Sequence, residues 1–71
     1  MDIGQVVAAL LDGKKVTRRA WNGGAHLWVT RIQIEGKEPL PVILFKAPQG
    51  QEPWFSRQGD ILATDWELVQ E

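Results

Sequence analysis

The chain contains no cysteine, and in a domain of 71 residues this absence narrows the ways in which a fold can be stabilised. A domain of about 60 residues buries only about 60% of its chain surface, so its folded state is marginally stable. Without cysteine, neither disulfides nor thiolate metal sites can support the fold, and the lone His26 cannot form a histidine zinc site by itself. Oligomerisation is the support that remains. We therefore expect one domain, residues 1–71, that forms a homo-oligomer.

The charge balance argues against several classes of protein. Eight basic and nine acidic residues give a net charge of −1, whereas proteins that bind nucleic-acid polymers usually show a basic excess. No apolar run approaches the roughly 18 residues of a membrane span. Asp2 stands where a signal peptide would carry basic residues. We expect a cytoplasmic protein with no nucleic-acid polymer or membrane as partner, no metal and no cofactor.

The N-terminal segment, residues 2–12, has the pattern of a short amphipathic helix. Asp2 can cap this helix, and Gln5 follows at the three-residue spacing of a capping box. Gly13 suits the left-handed backbone position that often follows a helix. Apolar residues recur at helical spacing and form one stripe, which consists of Ile3, Val6, Val7, Leu10 and Leu11.

The rest of the chain has the pattern of short strands and turns. Residues 26–34 alternate, and we place the side with Trp28, Ile32 and Ile34 inward because it is the more apolar one. The apolar run at residues 42–47 suits a strand that is buried on both faces. The other predicted segments are a strand at 15–19, turns at 21–24 and 48–51, a loop at 35–41, a strand at 54–55, a helical turn at 59–63 and a strand at 65–69. The predicted fold class is α+β, a short N-terminal helix followed by a small antiparallel β-sheet in one domain.

The sequence carries no catalytic motif. Ser56 lacks a base, because His26 is a weak candidate partner. Asp60 and Asp65 could form a carboxylate pair, but a helix cap for Asp60 and a turn or salt-bridge role for Asp65 are favoured. The glycines of the predicted turn at 21–24 lack the length and the Lys-Ser/Thr of a phosphate-binding loop. We predict that the protein is not an enzyme.

Four tryptophans are many for so short a chain, and each has two interpretations. Trp28 and Trp66 lie in predicted strands, where a core position is favoured. Trp21 and Trp54 lie beside turns, where a pair of aromatic side chains is typical of a stacking platform for a purine or similar flat group. They could equally anchor a subunit interface, in which tryptophan is enriched. The residues alone leave these two alternatives open.

The arginines are also open to two interpretations. Arg18 and Arg19 alternate along a predicted strand, so one of them must point inward or toward an interface. A salt bridge to Asp65 or Glu67 is favoured over a bidentate contact with a phosphate group, although guanidinium geometry suits both. Arg57, in the segment after the Pro-Trp pair, is ambiguous in the same way.

Two further polar residues are weaker candidates. Gln58, which follows Arg57, is ambiguous in the same way as that arginine. Lys46 stands at the end of an apolar run and is interpreted as a solvated charge at a strand end rather than as a phosphate ligand.

A set of short motifs follows in order along nearly the whole chain: Gly13-Lys14-Lys15-Val16, Arg18, Trp21-Asn22-Gly23, Phe45-Lys46-Ala47, Gly50, Pro53-Trp54 and Gln58-Gly59-Asp60-Ile61-Leu62-Ala63-Thr64-Asp65-Trp66. This ordered set resembles a small family from phages and bacterial genomes that is named for the second Thoeris anti-defence protein. The sequence departs from the family pattern in having Arg57 in place of a serine, with Ser56 one position earlier. Its central segment, residues 35–41, is shorter.

The resemblance implies a phage-type sponge for an immune signal. Family members bind cyclic ADP-ribose isomers made by TIR-domain immune proteins, without cleaving them, and some also bind cyclic dinucleotides. The resemblance further implies a homotetramer with pockets at subunit contacts, acting in the cytoplasm of the host cell. A protein-interaction module that inhibits a host partner through exposed tryptophans is the alternative, and a phosphodiesterase-like enzyme is the least favoured.

If the protein is such a sponge, its polar and aromatic motif residues are the expected ligand contacts. Trp21 and Trp54 would stack on the adenine, and Arg18 or Arg57 would meet the pyrophosphate. Base edges and ribose hydroxyls would be bound by four polar residues, Asn22, Ser56, Gln58 and Asp60.

Overall fold

The structure, a computed structural model, describes residues 1–21 and 23–69 and contains one α+β domain, as predicted. Its elements are α1 (Ile3–Leu11), β1 (Val16–Arg18), β2 (His26–Ile32), β3 (Leu40–Ala47), β4 (Gly50–Pro53), α2 (Gln58–Leu62) and β5 (Trp66–Leu68). The five strands form one sheet in the order β4-β3-β2-β1-β5. Every neighbouring pair is antiparallel.

Helix α1 begins with the predicted capping box. The backbone N–H of Gln5 donates to Asp2 Oδ1 at 2.8 Å, and the backbone N–H of Asp2 donates to Gln5 Oε1 at 2.9 Å. Gly13 follows the helix with φ of 87°, a left-handed conformation that a residue with a Cβ rarely adopts. Local chemistry therefore fixes both ends of this helix.

The core lies between α1 and one face of the sheet, which we call the inner face. Its fully buried cluster consists of Val6, Leu10, Val16, Leu27 and Trp66. The predicted apolar stripe of α1 is only partly buried, because Val7 and Leu11 stay exposed. A helix of nine residues thus covers a limited part of the sheet.

The prediction of which side of β2 points inward was wrong. Leu27 is fully buried and Val29 packs against the core, so the inner face carries these residues. Trp28 is half-buried on the opposite, outer face of the sheet, and Ile32 is 49% exposed. Alternation shows that β2 has two faces, but the position of α1 decides which one is covered. Trp28 and Ile32 misled the prediction because they lie on the face of β2 that α1 does not cover.

The predictions for β3 and β4 also need correction. The residues of β3 from Val42 to Phe45 are half-buried rather than buried, because α1 covers the sheet on one side only. Strand β3 starts at Leu40 and includes Pro41, which was predicted to lie in a loop. Pro41 is tolerated there because β4 pairs with β3 only from Leu44 onward, so this part of β3 is an edge. Strand β4 ends at Pro53, so the predicted strand at 54–55 is absent from the described structure.

Candidate functional site

Three of the four tryptophans meet on the inner face, with Trp66 at the centre. The rings of Trp21 and Trp54 contact the Trp66 ring edge to face, with centroid distances of 5.2 and 5.9 Å. Phe45 also contacts the Trp21 ring edge to face, with a centroid distance of 5.2 Å. T-shaped contacts of this kind are favoured by the aromatic quadrupole. The predicted core position of Trp66, which is 3% exposed, is confirmed.

The topology explains why residues so far apart in the sequence come together. Strands β4 and β5 lie at opposite edges of the sheet, so residues 54–65 must cross from one edge to the other. Trp54 opens this crossing segment, and its backbone N–H still donates to the Ile43 carbonyl at 2.9 Å. Trp21 follows β1, where its N–H donates to the Arg18 carbonyl at 2.9 Å. The hydrogen bond to Ile43 thus helps to hold Trp54 against the ring of Trp66, which is the first residue of β5.

A cavity of about 470 Å³ opens beside these rings, and we call it the aromatic cavity. Its lining residues are Trp21, Phe45, Glu52, Pro53, Trp54, Phe55, Arg57 and Asp60. The volume lies within the range of about 300–1,000 Å³ that is typical of small-molecule sites. A lining of aromatic rings together with three charged side chains, Glu52, Arg57 and Asp60, suits a ligand that has both a ring and polar substituents.

Arg18 links the elements beneath the aromatic cavity. Its Nε donates to Asp65 Oδ1 at 3.0 Å and its Nη1 donates to Asp60 Oδ1 at 2.9 Å. The guanidinium carbon also lies 5.9 Å from the Trp66 ring centroid, within the range of a cation–π contact. The predicted salt bridge to Asp65 is confirmed, and Arg19 lies 3.9 Å from Glu67. Arg18 therefore holds β1, α2 and the start of β5 together.

Asp60 has a structural role in addition to its place in the cavity wall. Its Oδ2 accepts from the Arg57 backbone N–H at 3.2 Å, so Asp60 caps α2 from the third position of the helix, while Arg57 rather than Asp60 is the N-cap residue. Its backbone carbonyl accepts from Trp66 Nε1 at 3.0 Å. Since Asp60 and Asp65 both bind Arg18, they are two anions shared by one cation. This arrangement does not provide the free acid and base that a carboxylate pair would need for catalysis.

The predicted site residues are distributed unevenly around this cavity. Trp21, Trp54, Arg57 and Asp60 line it, whereas Ser56 and Gln58 are exposed and lie outside its lining. The predicted contact Asn22 lies outside the described residues, and Arg18 reaches the cavity only through its ion pair with Asp60.

Four lining residues were missed as site residues from the sequence, namely Phe45, Glu52, Pro53 and Phe55. Phe45 is paired with Leu27 and so shares the inner face with a core residue, but the sequence pattern did not provide this register. Glu52 is paired with Phe45 in the adjacent strand, and this register places it in the same cavity wall. Phe55 is 81% exposed, and no local pattern distinguishes it from an ordinary loop residue.

The described part of the chain contains neither a metal-binding cluster nor a helix that could span a membrane. Within residues 1–21 and 23–69, no three acidic or histidine side chains come together as ligands of a metal ion. No helix among these residues has the length and apolar character to cross a membrane.

The ion pair of Arg18 makes stability depend on acid pH. The hydrogen bond from Arg18 holds the pKa of Asp65 below its usual value of 3.8. A carboxyl whose pKa is lower in the folded state stabilises the fold above its unfolded pKa of about 3.9, and this contribution is lost as the pH falls through the folded pKa. In urea titrations from pH 6 to pH 2, we therefore expect Asp65→Asn to remove part of the acid-induced loss of stability.

Asp12 provides the matched control, because its side chain is 70% exposed and lies 3.5 Å from Lys14. Asp12→Asn should keep the pH dependence of the original protein. If Asp65→Asn and Asp12→Asn gave the same pH profile, the ion pair would not contribute as inferred.

Comparison with known protein families supports the family resemblance that the order of the sequence motifs indicated. The family model described as Tad2-like, the Thoeris anti-defense 2-like domain, matches residues 1–69 and so covers every helix and strand given above. A comparison with curated proteins gave no match. On the strength of a match over nearly its full length, the chain belongs to the Thoeris anti-defense 2-like domain family.

Proposed function

We propose that the protein binds and sequesters a cyclic ADP-ribose isomer made by a TIR-domain immune protein, without cleaving it. Family membership supports a role in Thoeris anti-defence. The identity of the ligand, including the possibility of cyclic dinucleotides, is our inference from the aromatic cavity and from the family resemblance. One observation carries the proposal: the two turn-borne tryptophans, Trp21 and Trp54, line the same cavity.

The cavity walls suit an adenine ring. The indoles of Trp21 and Trp54 are half-buried, so each keeps some surface for a ligand while its position is fixed by Trp66. Preformed walls lower the cost of ordering side chains on binding. Stacking on aromatic side chains tolerates any base, since every base has a π-face. The platform thus suits the adenine ring but does not by itself select one base or specify the rest of the molecule.

The charged groups at the cavity suit the remaining parts of the ligand. Arg57 is exposed at the lining and can reach a pyrophosphate with its guanidinium fork. Arg18 is less suited to that task, because its Nε and Nη1 already bind Asp65 and Asp60. Glu52 can accept hydrogen bonds from ribose hydroxyls or from an exocyclic amino group. We therefore assign the pyrophosphate contact to Arg57 and retain Arg18 as a support for the wall.

A homo-oligomer would complete this site. The aromatic cavity is an open depression, and two large apolar side chains of the crossing segment, Phe55 of the cavity lining and Leu62 of α2, are 81% and 79% exposed. A second copy that covered these side chains would bury apolar surface and shield a bound ligand from water. The proposed function therefore includes assembly into a homo-oligomer. The family resemblance implies that this oligomer is a tetramer.

The same exposed side chains favour the alternative function. A host protein could bind exposed Phe55 and Leu62 as apolar anchors, since the buried core of a protein interface is more apolar than the rest of the surface. In that case the protein would inhibit its partner directly and would bind no nucleotide. A stable complex with a purified host protein in the absence of small-molecule binding would favour this alternative.

Recovery of the ligand tests the proposal directly. The protein is incubated with a lysate that contains the product of an active TIR enzyme, separated from it by filtration, and then denatured by heat. We expect mass spectrometry to identify an intact cyclic ADP-ribose isomer in the released material. Release of a linear product would indicate cleavage, and release of no nucleotide would contradict sequestration. A lysate with an inactive TIR enzyme is the control.

A further inference from the structure

The outer face of the sheet carries an uncharged, mainly aliphatic patch on β2 and β3. Side chains alternate along a strand, so Thr30 and Ile32 of β2 share the outer face with Trp28. Residues paired directly across two strands lie on the same face, and this register adds three residues of β3. We call the resulting set the outer patch, which consists of Thr30, Ile32, Leu40, Val42 and Leu44.

Neither helix of the described residues, 1–21 and 23–69, covers the outer patch. Helix α1 packs on the inner face against β1 and β2, and α2 packs against α1. Ile32 and Leu40, which are paired near the end of the β2–β3 hairpin, are 49% and 48% exposed. The solvated face of an antiparallel sheet normally carries polar residues. Four of the five patch residues are aliphatic, so the patch has the composition of a covered surface.

The surface area of the chain indicates how much of it needs a cover. The isolated chain exposes 5232 Å². A folded monomer of its mass, 8.0 kDa, exposes about 4,450 Å² on average. The excess of about 800 Å² equals the area that each partner buries in a protein interface of standard size. The surplus surface is therefore of the size that a stable dimer removes from water.

The properties of the outer patch favour a second copy of the chain as its cover. None of its five residues is charged, so two patches can meet without burying a charge. At one end the patch borders Trp28, which lines a groove with polar side chains that include His26, Lys46 and Gln51. An apolar centre beside a polar margin is the usual anatomy of a protein interface. A second copy is also present whenever the protein is, whereas a host partner is not.

We propose that the outer patch is an interface between two copies of this chain, which pack sheet against sheet around a twofold axis. Sheets packed face to face lie about 10 Å apart, with the side chains of their inner surfaces interdigitated. This interface is additional to the contact proposed beside the aromatic cavity, and it does not depend on the ligand. A tetramer with D2 symmetry is built from different twofold contacts, and the outer patch supplies one of them.

Cross-linking through an introduced cysteine tests the position of this interface, because the chain has no cysteine of its own. Thr30→Cys places a thiol within the outer patch. Ala8→Cys is the control, since it places a thiol on the exposed surface of α1, on the other side of the molecule. With a short bismaleimide and micromolar purified protein, we expect Thr30→Cys to give a covalent dimer on a denaturing gel and Ala8→Cys to stay monomeric.

Two outcomes of the cross-linking experiment would overturn the proposal. Equal yields of dimer from Thr30→Cys and Ala8→Cys would show that random collisions produce the cross-link. A cross-link from Thr30→Cys that formed only after addition of a host lysate, and then to another protein, would assign the patch to a different partner.

A charge in the outer patch should weaken self-association. Leu40→Lys should raise the dissociation constant in sedimentation equilibrium by about a hundredfold, because a twofold dimer loses the buried leucine twice. The fold should be kept, since Leu40 is about half exposed in the single chain and its lysine replacement stays in water. Leu11→Lys is the matched control, because Leu11 is 54% exposed on α1. Unchanged association in Leu40→Lys, or equal weakening by both variants, would contradict an interface at the patch.

Discussion

Replacing Trp66 by alanine should destabilise the fold by about 3–5 kcal/mol, the usual loss when a buried tryptophan is truncated in a core. Trp66 is 3% exposed, and its ring supports the rings of Trp21 and Trp54. Its Nε1 also donates to the Asp60 carbonyl, so truncation removes this hydrogen bond as well. Small domains have a total stability at the low end of about 5–15 kcal/mol. We expect urea unfolding to show a variant that is close to unfolded in water.

Two further variants keep this prediction testable if the alanine variant does not fold. Trp66→Phe retains an aromatic ring and should lose less stability than Trp66→Ala. Trp28→Ala removes the same side chain from the outer face, where it is half-buried and outside the core cluster. The loss of stability in Trp28→Ala should be clearly smaller than in Trp66→Ala. Equal losses for Trp28→Ala and Trp66→Ala would contradict the assignment of the core to the inner face.

The parts of the fold that depend on local chemistry could be predicted from the sequence. The capping box of Asp2 and Gln5 fixed the start of α1, and Gly13 marked its end. The alternation of residues 26–34 identified β2 for the same reason, since period two is a property of the strand itself. Such signals depend on neighbours in the chain and need no knowledge of what packs against them.

The orientation of β2 could not be predicted, because it depends on a distant element. Either side of the strand carries enough apolar residues to form a core, and only the contact with α1 selects the side of Leu27. The predicted burial of residues 42–47 on both faces was wrong for the same reason. A sheet with one covering helix has a second face, and composition alone did not reveal it.

The two tryptophans of the candidate site were predicted from the sequence, but several other residues that line the cavity were not. Trp21 and Trp54 were paired as possible stacking residues, and the crossing segment brings them to one cavity. Arg18 was offered both as a salt-bridge partner and as a phosphate ligand, and the structure shows its bonds to Asp65 and Asp60. Whether these residues bind a nucleotide stays a prediction. Which side chains share the wall depended on sheet register, which the sequence pattern did not provide.

Replacing Trp54 by alanine should weaken binding of a cyclic ADP-ribose isomer by roughly tenfold to a hundredfold. Stacking of a base on an aromatic side chain contributes about 1–3 kcal/mol, and about 1.4 kcal/mol corresponds to each factor of ten in affinity. Trp21→Ala should weaken binding by a similar factor. Trp21→Ala should also lower stability more than Trp54→Ala, because the Trp21 ring contacts both Phe45 and Trp66. Calorimetric titration gives the affinities, and urea unfolding separates them from losses of structure.

Trp28→Ala is the control for this titration, since it removes an indole from the outer face and leaves the aromatic cavity intact. It should retain the affinity for the cyclic ADP-ribose isomer. Light scattering on each variant checks that a change in affinity does not follow from a change in oligomeric state. Unchanged affinity in both Trp21→Ala and Trp54→Ala, with the assembly intact, would remove the ligand from the aromatic cavity. The two tryptophans would then be better explained as anchors for a protein partner or a second copy of the chain, for which exposed Phe55 beside them would supply further apolar surface.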